Sequence, residues 1–160
     1  MYCLLINPRC SWCLYWSILM ANAVIATSHA SLASGVYSAV KMIAGEFENL
    51  RIQEFKENDN LDEFDQKLKE NYKSLKDYEN VIVLADLAGG TPFNRAVMTL
   101  GDLPNVRVIA GLNFASLYQA LNSSGDLDES IEEIINIGKE SVIQYKNEKE
   151  IEDDNFEDGI

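Results

Sequence analysis

Cysteine is almost missing from this chain. The three present, Cys3, Cys10 and Cys13, all fall in the first thirteen of 160 residues. No disulfide framework can hold the remainder, which suits a reducing compartment. Cys10 and Cys13 form a C-x-x-C, but no βαβ pattern surrounds it and no second pair or histidine lies near. Zinc or thioredoxin-like chemistry is therefore not expected there. Histidine is scarcer still, with His29 the only one. With no cluster of carboxylates at the strand ends either, no metal is expected. Basic residues are few, 13 Lys and Arg against 26 Asp and Glu, for a formal net charge of −13. That excludes a phosphate-backbone binder, so no nucleic-acid partner is expected; a protein partner would present a basic face. No G-x-G-x-x-G follows the first apolar run and no G-x-x-x-x-G-K-[ST] occurs, so dinucleotide and P-loop chemistry lack their signatures and no cofactor is expected.

A long uninterrupted apolar run is also lacking. Met1–Leu19 comes nearest, with both tryptophans, Trp12 and Trp16. Arg9 sits mid-segment and serines interrupt the apolar residues after it, a pattern that fits neither a signal peptide nor a membrane span. The favoured reading is that translation begins at Met20 and that residues 1–19 are upstream sequence read as protein. An interfacial anchor is the other. At the far end Glu150, Glu152, Asp153, Asp154, Glu157 and Asp158 crowd together, and residues 146–160 read as a solvated, mobile acidic tail.

Between these ends lies one globular domain by size, 47 % hydrophobic across the chain. Asn22–Thr27 and Val81–Ala85 are continuous apolar runs, the pattern of strands buried on both faces. Leu50–Phe55 alternates weakly and predicts a more exposed strand; Val106–Ala110 predicts a fourth. Ser31–Ala44 predicts a helix on Leu32, Val36, Val40 and Ile43. Leu61–Lys76 predicts a second, on Leu61, Phe64, Leu68, Tyr72 and Leu75, with Asp62 and Glu63 in its first turn and Lys73 and Lys76 in its last. Thr91 is a natural N-cap and Pro92 a natural first residue for a third helix, Pro92–Leu100. Phe114–Leu121 predicts a fourth and Asp128–Tyr145 a fifth, on Ile131, Ile134, Ile135 and Val142. The alternation predicts an α/β fold, a mostly parallel sheet with helices on both faces. Strand order is not readable from these patterns.

Chemistry concentrates where strands end. In a parallel sheet all carboxyl ends share one edge, where ligands bind. Thr27–Ser28–His29, Asp86–Leu87–Ala88–Gly89–Gly90–Thr91 and Gly111–Leu112–Asn113 all fall there. If the first and third strands are neighbours, Asp86 can face His29, fix its tautomer and leave the other ring nitrogen as nucleophile. The backbone N–H groups at Gly89, Gly90 and Thr91, and the hydroxyls of Ser28 and Thr91, are candidates for holding phosphate oxygens. The helix opening just after His29 adds unpaired N–H groups that favour an anion. Taken singly these features have plain readings: a polar loop histidine, a loop aspartate, a tight turn into a helix. Leu87, Phe93 and Phe114 are candidates for a docking rim, with ordinary helix packing as the alternative. A receiver-like domain phosphorylated on Asp86 would gather acidic residues at the end of the first strand, where Thr27, Ser28 and His29 stand instead.

Together V-I-A-T-S-H-A-S-L-A-S-G at 24–35, K-M-I-A-G-E-F-E-N-L at 41–50, V-L-A-D-L-A-G-G-T-P-F-N at 83–94 and V-I-A-G-L-N at 108–113 resemble the mannose-type IIA components of the bacterial sugar phosphotransferase system. The resemblance runs from about Met20 to Tyr145. It implies a cytoplasmic phosphocarrier that takes a phosphoryl group from phospho-HPr on a histidine and passes it to a IIB component, a membrane IIC/IID complex moving the sugar. The family histidine falls on His29, its orienting aspartate on Asp86 and the loop hydroxyl on Thr91. The implied fold is three-layer α/β/α with strand order 2-1-3-4 and an antiparallel edge strand, drawn from near the C-terminus and exchanged in a homodimer. Ala30 departs from the family's usual glycine after the histidine, which puts the local backbone geometry in question. A regulatory module, or a phosphocarrier of the dihydroxyacetone-kinase type using the same histidine, is the alternative.

Overall fold

The computed structural model describes residues 22–146; the cysteine-bearing segment 1–19 and all of the acidic tail beyond residue 146 lie outside them. Among the described residues four strands alternate with five helices: β1 (Ala23–His29), α1 (Leu32–Ala44), β2 (Leu50–Phe55), α2 (Leu61–Ser74), β3 (Val81–Ala85), α3 (Thr91–Leu100), β4 (Val106–Ala110), α4 (Phe114–Asn122) and α5 (Leu127–Glu140). All strand pairings are parallel, in the order β2-β1-β3-β4. This order places β1 beside β3, the adjacency that the pairing of His29 with Asp86 requires. The sheet in the described chain has no fifth, antiparallel strand. Among the same residues no helix is long and apolar enough to cross a membrane.

β1 and β3 are apolar throughout because both faces of the sheet are covered. Side chains alternate across β1. Val24 and Ala26 enter a core with α1, α4 and α5, through Val40, Leu117, Leu121 and Ile134. Ile25 enters the opposite core with α2 and α3, through Phe64, Leu68, Ala96 and Leu100. The three layers follow from that alternation.

Two helix faces differ from the periodicity reading. α1 buries Ala33 and Val40, flanked by Val36 and Tyr37, whereas Leu32 and Ile43 are 48 % and 70 % exposed. The small side chain at Ala33 lets the helix lie close to the sheet, which rotates the inward face off the bulkier stripe. The last helix ends at Glu140 rather than Tyr145, with Ser141 as its C-cap. Its inward face is Leu127, Ser130, Ile134 and Gly138, and Val142 stands outside it, 82 % exposed.

The amino end of the sheet is closed by a buried polar plug. Asn22, fully buried, donates from Nδ2 to the hydroxyls of Ser123 (3.0 Å) and Ser130 (3.1 Å). Its Oδ1 accepts from Asn80 at 3.1 Å. Asn49 spans the next gap, donating to the carbonyls of Asn22 at 2.8 Å and Leu121 at 3.0 Å. Ser123 and Ser130 send their own protons to Ala120 and Asp126 carbonyls, so every donor in the plug has an acceptor.

Candidate functional site

His29 is the last residue of β1, and Asp86 immediately follows β3. The register that pairs Thr27 with Ala85 carries both to the carboxyl edge, where the Asp86 N–H donates to the Thr27 carbonyl at 3.1 Å. Asp86 Oδ2 then accepts twice from His29, from its backbone N–H at 2.9 Å and from ring Nδ1 at 2.9 Å. Oδ1 accepts the Leu87 N–H at 2.8 Å. A carboxylate accepts only, so Nδ1 carries the proton and Nε2 has the free lone pair. The Asp86 side chain is 9 % exposed and that of His29 43 %. Burial alone pushes the Asp86 carboxyl up; the bonds from the His29 backbone and ring, the ring's charge and the Leu87 N–H outweigh it and hold the carboxyl below its ordinary value.

The ring is supported from below. Phe55, paired with His29 in the sheet register, meets the imidazole edge-on at 6.3 Å, and buried Phe64 meets Phe55 edge-on at 5.5 Å. Sequence reading missed Phe55, whose only signal was its place at the end of a neighbouring strand.

Ala30 has a φ of 47°, the left-handed region, while its N–H donates to the Phe55 carbonyl at 2.9 Å. The backbone reversal between β1 and α1 is thus built with alanine at a steric cost of roughly 1–2 kcal/mol. Ala30→Gly removes that cost and restores some unfolded-chain entropy, roughly 0.4–1 kcal/mol. The expected net effect is a stabilisation of about 0.5–1 kcal/mol, read as a higher urea midpoint at unchanged slope; a lower midpoint would refute it.

The two helix N-termini at this edge differ, and here the structure corrects the sequence reading. At α1 two of the first amides are already taken: Ala33 N–H donates to the Ser28 hydroxyl at 2.9 Å and Ser34 N–H to Glu54 Oε1 at 3.1 Å. Ser28 is fully buried and, next to His29 on a strand, projects to the opposite sheet face. It holds the start of α1 and does not join the site. At α3 the N-cap is Gly90, not Thr91, and no side chain caps the helix. Gly90 is extended, so the helix begins one residue earlier than the proline position predicts. The Thr91 hydroxyl is therefore not spent on the cap, and the first amides remain open. The Gly90 N–H is engaged, donating to the Leu87 carbonyl at 3.1 Å. Gly89 takes a φ of 76°, which only glycine adopts freely, and Asn94 holds its carbonyl at 2.8 Å. Asn94 is a further residue that sequence reading missed. Asp65 and Arg95 pair across α2 and α3 (Nε–Oδ1 2.8 Å) and brace this loop's helix.

Leu87 projects at the lip, 60 % exposed. Phe114 and Tyr118 stack at 6.2 Å, 37 % and 41 % exposed. Phe93 is half-buried. A half-exposed imidazole with Nε2 free, a buried carboxylate behind it and an uncapped helix start beside it form an open surface built to present a nucleophilic nitrogen to an anion.

The family model described as the fructose IIA component of the sugar phosphotransferase system (PTS) matches residues 23–137. The chain belongs to this mannose-type IIA family. The match spans every element from β1 into α5. The mannose-specific EIIAB component of Escherichia coli K12 is 29 % identical over 130 residues, 79 % of this chain and 40 % of that protein; the chain thus spans about two fifths of the length of that relative. The mannose/sorbose-specific IIA subunit from Enterococcus faecalis superposes with a TM-score of 0.72 at 33 % identity, covering 80 % of this chain and 97 % of that one. The IIA protein associated with the fucose utilization operon of Streptococcus pneumoniae superposes at 0.70 with 28 % identity, covering 78 % and 93 %. The IIA fold is thereby assigned on sequence and structure together.

Proposed function

We propose that this IIA domain is a phosphocarrier of a sugar phosphotransferase system, working in the cytoplasm and using His29 as its phosphoryl acceptor. The observation that carries the reading is the pair of 2.9 Å bonds from the His29 N–H and Nδ1 to one buried Asp86 oxygen. They commit Nδ1 as the protonated nitrogen and leave Nε2 as nucleophile. In the forward step Nε2 attacks the phosphorus of phospho-HPr in line. The N–P bond to the donor imidazole breaks, its electron pair returns to that ring, and the Nε2–P bond forms. Asp86 stabilises the positive charge that the His29 ring acquires, and the Nδ1 proton stays between them. The Thr91 hydroxyl and the open amides at the start of α3 face the phosphoryl oxygens. A second in-line transfer gives the group to a IIB component, which supplies a membrane IIC/IID complex. Both partners are proteins, and the exposed ring and lip at Leu87 suit docking of a surface better than entry of a small molecule. The open outer edge of β4 and the exposed Val142, Ile143 and Tyr145 beyond α5 support a homodimer in which an antiparallel edge strand is exchanged.

Incubation with enzyme I, HPr and labelled phosphoenolpyruvate, followed by mass spectrometry, tests the reading. Acid-labile label on the His29 peptide, dependent on HPr, is the expected result. Hydroxylamine-labile label on Asp86 would replace it with the receiver-like reading. Asp86→Asn is expected to slow transfer about 10–100-fold while leaving some, since its role is orientation. The same variant reports on stability. The native Asp86 carboxyl lies below its ordinary value of 3.8. Its stabilising contribution is therefore complete above that pH and is lost as pH falls through the native value. Urea midpoints should fall more steeply below about pH 4 in the native protein than in Asp86→Asn; equal slopes would show that the pair contributes no pH-linked stability.

A further inference from the structure

Gly90 is the point at which the site has no room. Its φ of −68° and ψ of 165° are open to any residue, so the backbone does not ask for glycine there. Space does. A Cβ at Gly90 would stand 2.7 Å from His29 Cε1, 3.2 Å from the Leu87 carbonyl oxygen and 3.6 Å from His29 Nε2. Gly89 is the reverse case, with a φ of 76° and nothing within 4 Å of its would-be Cβ. The Leu87 oxygen is backbone, held by Gly90's own N–H at 3.1 Å. The imidazole is the neighbour free to turn, but turning breaks the Nδ1 bond to Asp86, and Phe55 supports the ring edge-on.

We infer that Gly90 is the positioning residue for the His29 imidazole. By presenting no side chain it lets the ring keep the orientation in which Nδ1–H meets Asp86 and Nε2 stays free. Its role is thus exclusion of a side chain, its own N–H being spent on the Leu87 carbonyl. The consequence for phosphoryl transfer rests on the phosphocarrier reading; the positioning itself does not.

The test compares Gly90→Ala with Gly89→Ala in the full chain. Because His29 is the sole histidine, proton–nitrogen NMR of the imidazole gives one set of ring signals. The native protein is expected to show the Nδ1–H tautomer with a hydrogen-bonded proton. Gly90→Ala should lose that proton signal or mix the tautomers, and should accept phosphoryl at least about tenfold more slowly. Gly89→Ala should keep the native ring spectrum, although its strained backbone lowers stability. A double-mutant cycle covers the case in which Gly90→Ala folds poorly. The stability cost of Gly90→Ala should largely vanish in a His29→Ala background, where no ring stands in the way of the methyl. An unchanged ring spectrum in folded Gly90→Ala, or an equal cost with and without the His29 ring, overturns the inference. Native protein that takes no label would instead defeat the phosphocarrier reading and leave both of these measurements standing.

Discussion

His29→Ala yields a folded protein that takes no phosphoryl label above background when enzyme I, HPr and labelled phosphoenolpyruvate are supplied. The chemistry half follows from there being no other histidine in the chain, so no neighbouring imidazole can substitute as nucleophile. The folding half follows from how Asp86 is satisfied. Removing the ring deletes one of three hydrogen bonds to that carboxylate. The His29 N–H at 2.9 Å and the Leu87 N–H at 2.8 Å come from backbone and remain. The carboxylate is then not left as an unpaired buried charge, the situation that makes such deletions severe. The lost ring was itself 43 % exposed, so the apolar burial forfeited is small. Circular dichroism and the thermal midpoint should stay near native. Label on the variant would remove His29 from the mechanism; an unfolded variant would show that the ring carries the strand end.

Asn22→Ala is expected to produce the largest loss of stability, about 3 kcal/mol or more. Three side-chain hydrogen bonds disappear at about 1 kcal/mol each, and the Asn80 amide loses a part-buried acceptor. Total domain stabilities are about 5–15 kcal/mol, so the loss is a large fraction of what exists. Equilibrium urea unfolding checks the figure. The fraction still folded should accept phosphoryl at the native rate, because almost the whole length of β1, Ala23–His29, roughly 20 Å of strand, separates the plug from the His29 ring. A loss under about 1 kcal/mol would mean that water replaces the amide, and slowed transfer in the folded fraction would mean that the plug sets the register at the far edge.

Much of the architecture was legible because apolar patterning is a local property. The runs Val81–Ala85 and Val106–Ala110 became β3 and β4 with the predicted bounds, and the start of β1 was placed within one residue. Helix faces were less legible. Periodicity chose Val40 correctly but also Leu32 and Ile43 for their size, whereas the sheet selected Ala33 by fit. Periodicity likewise carried the last helix five residues too far, because nothing local marks Ser141 as its cap.

At the site, residue types pointed to His29 and Asp86 before any geometry, since a sole histidine and an aspartate both close apolar strands. Thr91 was placed at the start of α3, although Gly90 and not Thr91 is the N-cap there, and Ser28 belongs to the other face of the sheet. What the sequence by itself determined is the set of elements, the sheet edge at which the polar residues gather and the histidine and aspartate that stand there, for these depend on spacing along one strand or one helix. What only the tertiary structure decided is which helix start stays open, how Phe55 and Asn94 support the ring and the loop, and that Gly90 is glycine for room while Gly89 is glycine for backbone. Each of these depends on distances between segments far apart in the chain, set by the parallel register of β1 with β2 and β3, and no local pattern encodes a distance of that kind.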